Sequence, residues 1–122
     1  MKPTIDFATL SQRAMEVRAR FAAFETARGG RPWTREEVMQ GFVGDVGDLM
    51  KLVMAKSGIR EIPDHERKLA HELSDCLWSV LVLARLYEID LAKEFMTTMD
   101  ELDRTLGEKT KESATRLERG DA

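Results

Sequence analysis

The sequence predicts an all-α protein, an antiparallel bundle of about four helices. Three observations carry that prediction. Proline and glycine divide the chain into four windows long enough for helices. Within the windows, apolar residues recur at spacings of three and four, and no stretch alternates with the period of a strand. The connections between windows are short, which favours antiparallel neighbours.

The first helix is expected from about Asp6 to Arg28. Phe7, Leu10, Ala14, Val17, Phe21 and Phe24 form a narrow seam suited to one partner helix, and Gly29-Gly30 ends it. Thr34-Arg35-Glu36-Glu37 reads as a capping box, with Thr34 as N-cap and Glu37 three residues on. The second helix then runs to about Ser57, and Gly58 stops it. After a loop holding Pro63, Asp64 is expected to cap a third helix that reaches about Glu88. Ile89-Asp90 is another tight junction, with Asp90 as N-cap of a fourth helix striped by Phe95, Met99, Leu102 and Leu106. From Gly107 the chain is mostly polar and is expected to fray or project. The organisation read from this pattern is one helical domain over residues 1–106 and a polar tail over 107–122. The seam on the first helix and the modest length predict that protomers pair to complete the core, as a homodimer or homotetramer.

Composition narrows the classes of partner. The chain has 122 residues, 43% of them hydrophobic and 34% charged, which suits one folded domain. A net charge of −3 gives no global basic field, so no nucleic-acid partner is expected. Cys76 is the single cysteine, which rules out an internal disulfide and fits a reducing compartment. The longest apolar run, Cys76–Ala84 with Ser79 inside it, is far too short to span a membrane. Met1-Lys2-Pro3-Thr4-Ile5-Asp6 lacks a signal-peptide hydrophobic stretch, so the expected location is cytoplasmic, with no membrane partner.

Four carboxylates carry the chemistry. Asp45-x-x-Asp48 and Glu72-x-x-Asp75 are helix-spaced pairs on consecutive helices, and residues three apart share a face. Folding the two helices antiparallel would aim four acids at one place. Such a cluster is costly unless a cation sits within it. An all-oxygen site suits Mg²⁺ or Mn²⁺, and so metal-assisted phosphate chemistry. On the second helix, Val38, Phe42, Val43, Val46, Leu49 and Val53 share a broad apolar arc, and the acids lie on the stripe beside it. Both acid stripes turn apolar within two turns, at Leu52 and, past Ser79, at Val82 and Leu83, so the acids are expected to face inward. Gly41, Gly44 and Gly47 surround them, each at a cost of about 1 kcal/mol relative to alanine. Close helix approach would explain these glycines, and so would room for a ligand. D-x-x-D and E-x-x-D also occur by chance on solvated faces, and the argument rests on two pairs occurring together.

Gly44-Asp45-Val46-Gly47-Asp48-Leu49 and His71-Glu72-Leu73-Ser74-Asp75-Cys76-Leu77-Trp78 resemble the signature of the MazG-like all-α NTP pyrophosphohydrolases. Leu83–Leu91 and Pro32-Trp33 add to the likeness, which covers about Trp33 to Met99. The resemblance implies Mg²⁺-dependent cleavage of a nucleoside triphosphate to the monophosphate and pyrophosphate, by a dimer or tetramer. It makes Asp45, Asp48, Glu72 and Asp75 the metal ligands and the catalytic acids. The chain departs from the family in four places, one of them Gly44, where many members carry an extra Glu and the dCTP-type members also have glycine. Both acids of the first motif are Asp rather than the usual Glu. Ala55 and Ser79 stand where dCTP-type members carry aromatics, and Thr98 and Leu102 stand where many carry Lys and Asn.

Several residues have weaker claims. Lys56 and Arg60 could bind phosphate, or could cap and solvate the end of the second helix. Trp33 and Trp78 could stack a base, although Trp78 has the apolar neighbours of a core or interface residue. Lys51 could be a counter-ion to Asp48. His71 is read as surface and Cys76 as packing. A di-iron bundle is disfavoured, because neither histidine lies three residues after a Glu. Phosphoribosyl-ATP pyrophosphohydrolysis shares the acid motifs. A non-catalytic nucleotide sensor or interaction module is the alternative from another class.

Overall fold

A computed structural model describes residues 4–120. They form four helices and no strand: α1 (Phe7–Ala27), α2 (Arg35–Lys56), α3 (His65–Leu86) and α4 (Leu91–Arg119). The expectations for residues 1–3 and 121–122 lie outside the described residues. Among those described, no helix is long and apolar enough to cross a membrane.

The helix starts have local causes. The Thr9 backbone N–H donates to Asp6 Oδ1 at 2.9 Å, which caps α1. The capping box of α2 is complete: the Glu37 N–H donates to Thr34 Oγ1 at 3.2 Å, and the Thr34 N–H donates to Glu37 Oε1 at 3.0 Å. Arg31 also donates to the Glu37 carboxylate, and these bonds hold its pKa down to about 2. Asp90 caps α4 by accepting from the Lys93 N–H at 3.2 Å. Asp64 does not cap α3 in the expected way. Its backbone is left-handed, with φ 56°, and its carboxylate accepts from Arg67 Nε at 2.6 Å instead of from a backbone amide. A charged donor outcompetes a neutral one for that carboxylate.

Two compact units divide between Ile89 and Asp90. In the first, α3 packs against both α1 and α2, so these two helices choose α3 over each other. Trp78 Nε1 donates to the Ala14 carbonyl at 3.1 Å, and Arg85 donates to Ser11 Oγ at 3.2 Å, so α1 and α3 run antiparallel. Lys56 pairs with Glu66 near the α2–α3 turn and Asp45 meets Asp75 farther along, so α2 and α3 are antiparallel too. Ala14, Val38, Leu81 and Val82 form the core, with Met15, Trp78, Leu83 and Leu86 packed around them.

The core takes less of the apolar pattern than the seams suggest. Along α1 only Ser11 and Ala14 are buried, while Phe21 and Phe24 are each 55% exposed. On α2, Val38, Leu52 and Ala55 are buried, whereas Val43, Val46 and Val53 face solvent. The helix turns the face of Val38, Gly41, Asp45, Leu52 and Ala55 inward, and that rotation leaves Val43, Val46 and Val53 outside.

The second unit is α4. It does not fray at Gly107 but runs unbroken to Arg119, where Gly120 closes it with φ 73°. A single exposed glycine costs a helix about 1 kcal/mol, which neighbouring charges can offset in part. The Arg104–Glu108 pair at 3.6 Å straddles this one. Residues 107–120 are all exposed, and no residue of the helix is buried.

Candidate metal centre

Asp45 on α2 and Glu72 and Asp75 on α3 are half-buried, and a carboxylate oxygen from each lies within 4.8 Å of the others. Asp48 is exposed and stands outside this set. It is still near enough to act on the other acids. Burial, then the charges of Asp75 and Asp48, pushes the Asp45 carboxyl above its ordinary range. Burial, then Asp45, Asp75 and Asp48, does the same to Glu72. Among the described residues no lysine or arginine forms an ion pair with any of the three. Glu72 Oε2 is buried and accepts no hydrogen bond. An unpartnered buried carboxylate oxygen is expensive. The donor set is all oxygen, converging and short of positive charge, which fits a hard divalent cation such as Mg²⁺ or Mn²⁺.

A cavity of about 500 Å³ adjoins these acids, with Asp45 and Asp75 in its wall. Its other walls carry Phe21, Trp33 and Trp78, and its polar groups include Arg18 and Glu25. This size and lining suit a small organic ligand. Trp78 is fixed by its bond to Ala14 and by an edge-on contact with Phe21, at 5.6 Å between centroids. Trp33 lies over Gly41, where a Cβ would stand 3.1 Å from the indole. Arg18 donates to the Trp33 carbonyl at 3.0 Å, and its buried Nε has no partner. Trp33 and Trp78 therefore meet as wall residues, and Trp78 is also anchored in the core. Arg18 and Phe21 escaped the sequence reading. Phe21 had a signal in the α1 seam, but nothing local places Arg18 beside the 29–34 loop.

A smaller cavity, about 240 Å³, borders the acids at Glu72 and is lined by Leu52, Arg67, Lys68, His71 and Glu72. His71 is exposed, as expected for a surface residue, yet its Nε2 lies 3.2 Å from Asp75 Oδ2. The i,i+4 spacing of the two residues was the available signal. The structure does not bring Lys56 or Arg60 to either cavity. Lys56 pairs with Glu66, and Arg60 sits exposed in the α2–α3 connection. Lys51 makes no ion pair with Asp48. Ser79 is buried in the wall of the larger cavity, and Ala55 is buried elsewhere on α2. Burial, then the neighbouring acids, pushes the Cys76 thiol up, away from the reactive thiolate. A Cβ at Gly44 or Gly47 would meet nothing within 4 Å, so neither glycine serves close helix approach among the described residues.

No family model, curated protein or solved structure matches this chain.

Proposed function

We propose that the protein is a Mg²⁺-dependent nucleoside triphosphate pyrophosphohydrolase of the MazG-like kind. The observation that carries this reading is the convergence of Asp45, Glu72 and Asp75 beside an aromatic cavity. In it, the three acids hold the metal, with Asp48 as an outer, more solvated contributor. Bound there, Mg²⁺ or Mn²⁺ supplies positive charge to phosphate oxygens and offsets charge that builds during hydrolysis. Trp33, Phe21 and Trp78 hold the base by stacking. Water adds to the α-phosphorus, the bridging bond to the β-phosphate breaks, and its electron pair leaves with pyrophosphate. A carboxylate of the cluster takes the proton of the attacking water.

The exposed row Val43, Val46, Met50 and Val53 on α2 supports pairing of protomers, since its spacings of three and four suit another helix. A sizing measurement that returns a monomer at micromolar concentration would remove that element. The position of Asp48 favours a second reading. With one acid outside the cluster, the site could bind a metal–nucleotide complex without turning it over, as a sensor.

Pyrophosphate release from a panel of canonical and modified NTPs and dNTPs, with Mg²⁺ or Mn²⁺, separates the two. Metal-dependent release with a monophosphate co-product, lost in Asp75→Asn, is the expected result. Nucleotide binding without release would support the sensor, and neither binding nor release would overturn both.

A further inference from the structure

We propose that the cleft formed by Arg67, Lys68 and His71 beside Glu72 holds the β- and γ-phosphates of the substrate and then the departing pyrophosphate. The inference rests on the pyrophosphohydrolase reading and gives that site a direction. Within a chain of net charge −3, this cleft gathers two cations and a histidine against the metal-site acids. Lys68 forms no ion pair among the described residues. Arg67 is anchored to Asp64 through Nε, and its two terminal nitrogens donate to no other described residue. An anchored guanidinium with unused donors is pre-organised for an oxyanion. Both cations lie in the opening turns of α3, where the helix dipole adds to the attraction for negative charge.

The order of residues along α3 sets the polarity. Lys68, Glu72 and Asp75 follow at about one per turn, and Trp78 and Ser79 come next. The sequence is therefore cation, acids, aromatic cavity. The two cavities border the acid cluster at different members: the larger at Asp45 and Asp75, the smaller at Glu72. A nucleoside triphosphate has the same order of chemistry: apolar base, metal-binding phosphates, and the most anionic end last. With the base among Trp33, Phe21 and Trp78, the α-phosphate meets the acids and the terminal phosphates reach Lys68 and Arg67. The bond that breaks then releases its negative charge toward the cations. Lys56, the other lysine near this end, is occupied by Glu66.

The test measures calorimetric binding of inorganic pyrophosphate, with Mg²⁺, to the full chain and to Lys68→Gln, alongside NTP turnover. Lys68 is exposed, so the variant should fold, and Lys68→Arg serves as a charge-retaining control. The expected result is pyrophosphate affinity and NTP KM each worsened about tenfold in Lys68→Gln. Inhibition by nucleoside monophosphate should be unchanged, and Lys68→Arg should restore most of the loss. Unchanged pyrophosphate affinity and KM in Lys68→Gln, with turnover intact, would overturn this proposal and leave the enzyme reading standing. Pyrophosphate binding that depends on Lys68, without turnover of any nucleotide, would support the cleft and overturn the enzyme reading. No binding of pyrophosphate to the unaltered chain would overturn the cleft.

Discussion

The two carboxylate pairs have the same spacing and different fates. On α3, Glu72 and Asp75 are both half-buried and both join the cluster. On α2, Asp45 joins and Asp48 stays exposed outside it. Residues three apart on a helix differ by about 60° in direction, so a shared face is a wide one. Which member turns inward depends on how the helix is rotated against its partner. The rotation of α2 is visible in its apolar residues, with Val38, Leu52 and Ala55 buried and Val43, Val46 and Val53 exposed. A carboxylate motif thus offers acids, and helix packing selects which of them converge.

The largest effect is expected at the α3 pair. Glu72→Gln or Asp75→Asn should lower turnover by more than the roughly 10–100-fold that loss of an outer metal partner costs. Both variants should keep the fold, and without metal they should melt no lower than the parent, because like-charge repulsion is relieved. Unfolding of both would make these acids structural. Asp48→Asn should cost about tenfold, at the lower end of the range for an outer partner. Equal losses at Asp48 and Glu72 would erase the distinction between the pairs.

The pH dependence of stability sharpens the same contrast. Asp45 and Glu72 have carboxyl pKa values raised above the ordinary 3.8 and 4.5. The folded state therefore binds these two protons more tightly than the unfolded state does, so the contribution of Asp45 and Glu72 to metal-free stability should fall as pH rises through the carboxylate range, opposite in sign to that of the lowered carboxyls of Asp6, Glu37, Asp64 and Glu66. The penalty is absent below the ordinary values and complete above the raised ones. The stability of the parent minus that of Glu72→Gln should fall as pH rises across that window, and saturating Mg²⁺ should reduce the fall. A difference that instead rose with pH would mean that Glu72 is favourably paired.

The smallest expected effects lie at the glycines. Gly44→Ala and Gly47→Ala should each raise stability by up to about 1 kcal/mol, since a Cβ there meets nothing within 4 Å. Chemical denaturation checks this, and destabilisation would reveal a neighbour supplied by another protomer. Gly41→Ala should behave differently, because the added carbon would stand 3.1 Å from the Trp33 ring and shift the cavity wall.

Much of this was legible where the determinant is local. The capping box at Thr34 and Glu37, the Asp90 cap and the Gly58 stop are short-range chemistry, and the helices follow them. The convergence of Asp45, Glu72 and Asp75 was legible from the two acid motifs, whereas the outward turn of Asp48 was not, because three-residue spacing leaves the rotation of the helix open. Features set by tertiary contact were not. Arg67 took the Asp64 carboxylate away from its capping role, and Lys56 paired with Glu66 instead of joining the site. Arg18 reached the Trp33 carbonyl 15 residues away. The helix runs on through Gly107, where fraying or projection was expected, because a cost of about 1 kcal/mol at one glycine, offset in part by the Arg104–Glu108 pair, is too small to end it.

The most direct test of the account is a calorimetric titration of Mn²⁺ into the parent chain, Asp48→Asn and Glu72→Gln. Saturable binding that survives in Asp48→Asn and is lost in Glu72→Gln is the predicted result. No binding to the parent chain, or equal binding to all three, would contradict it.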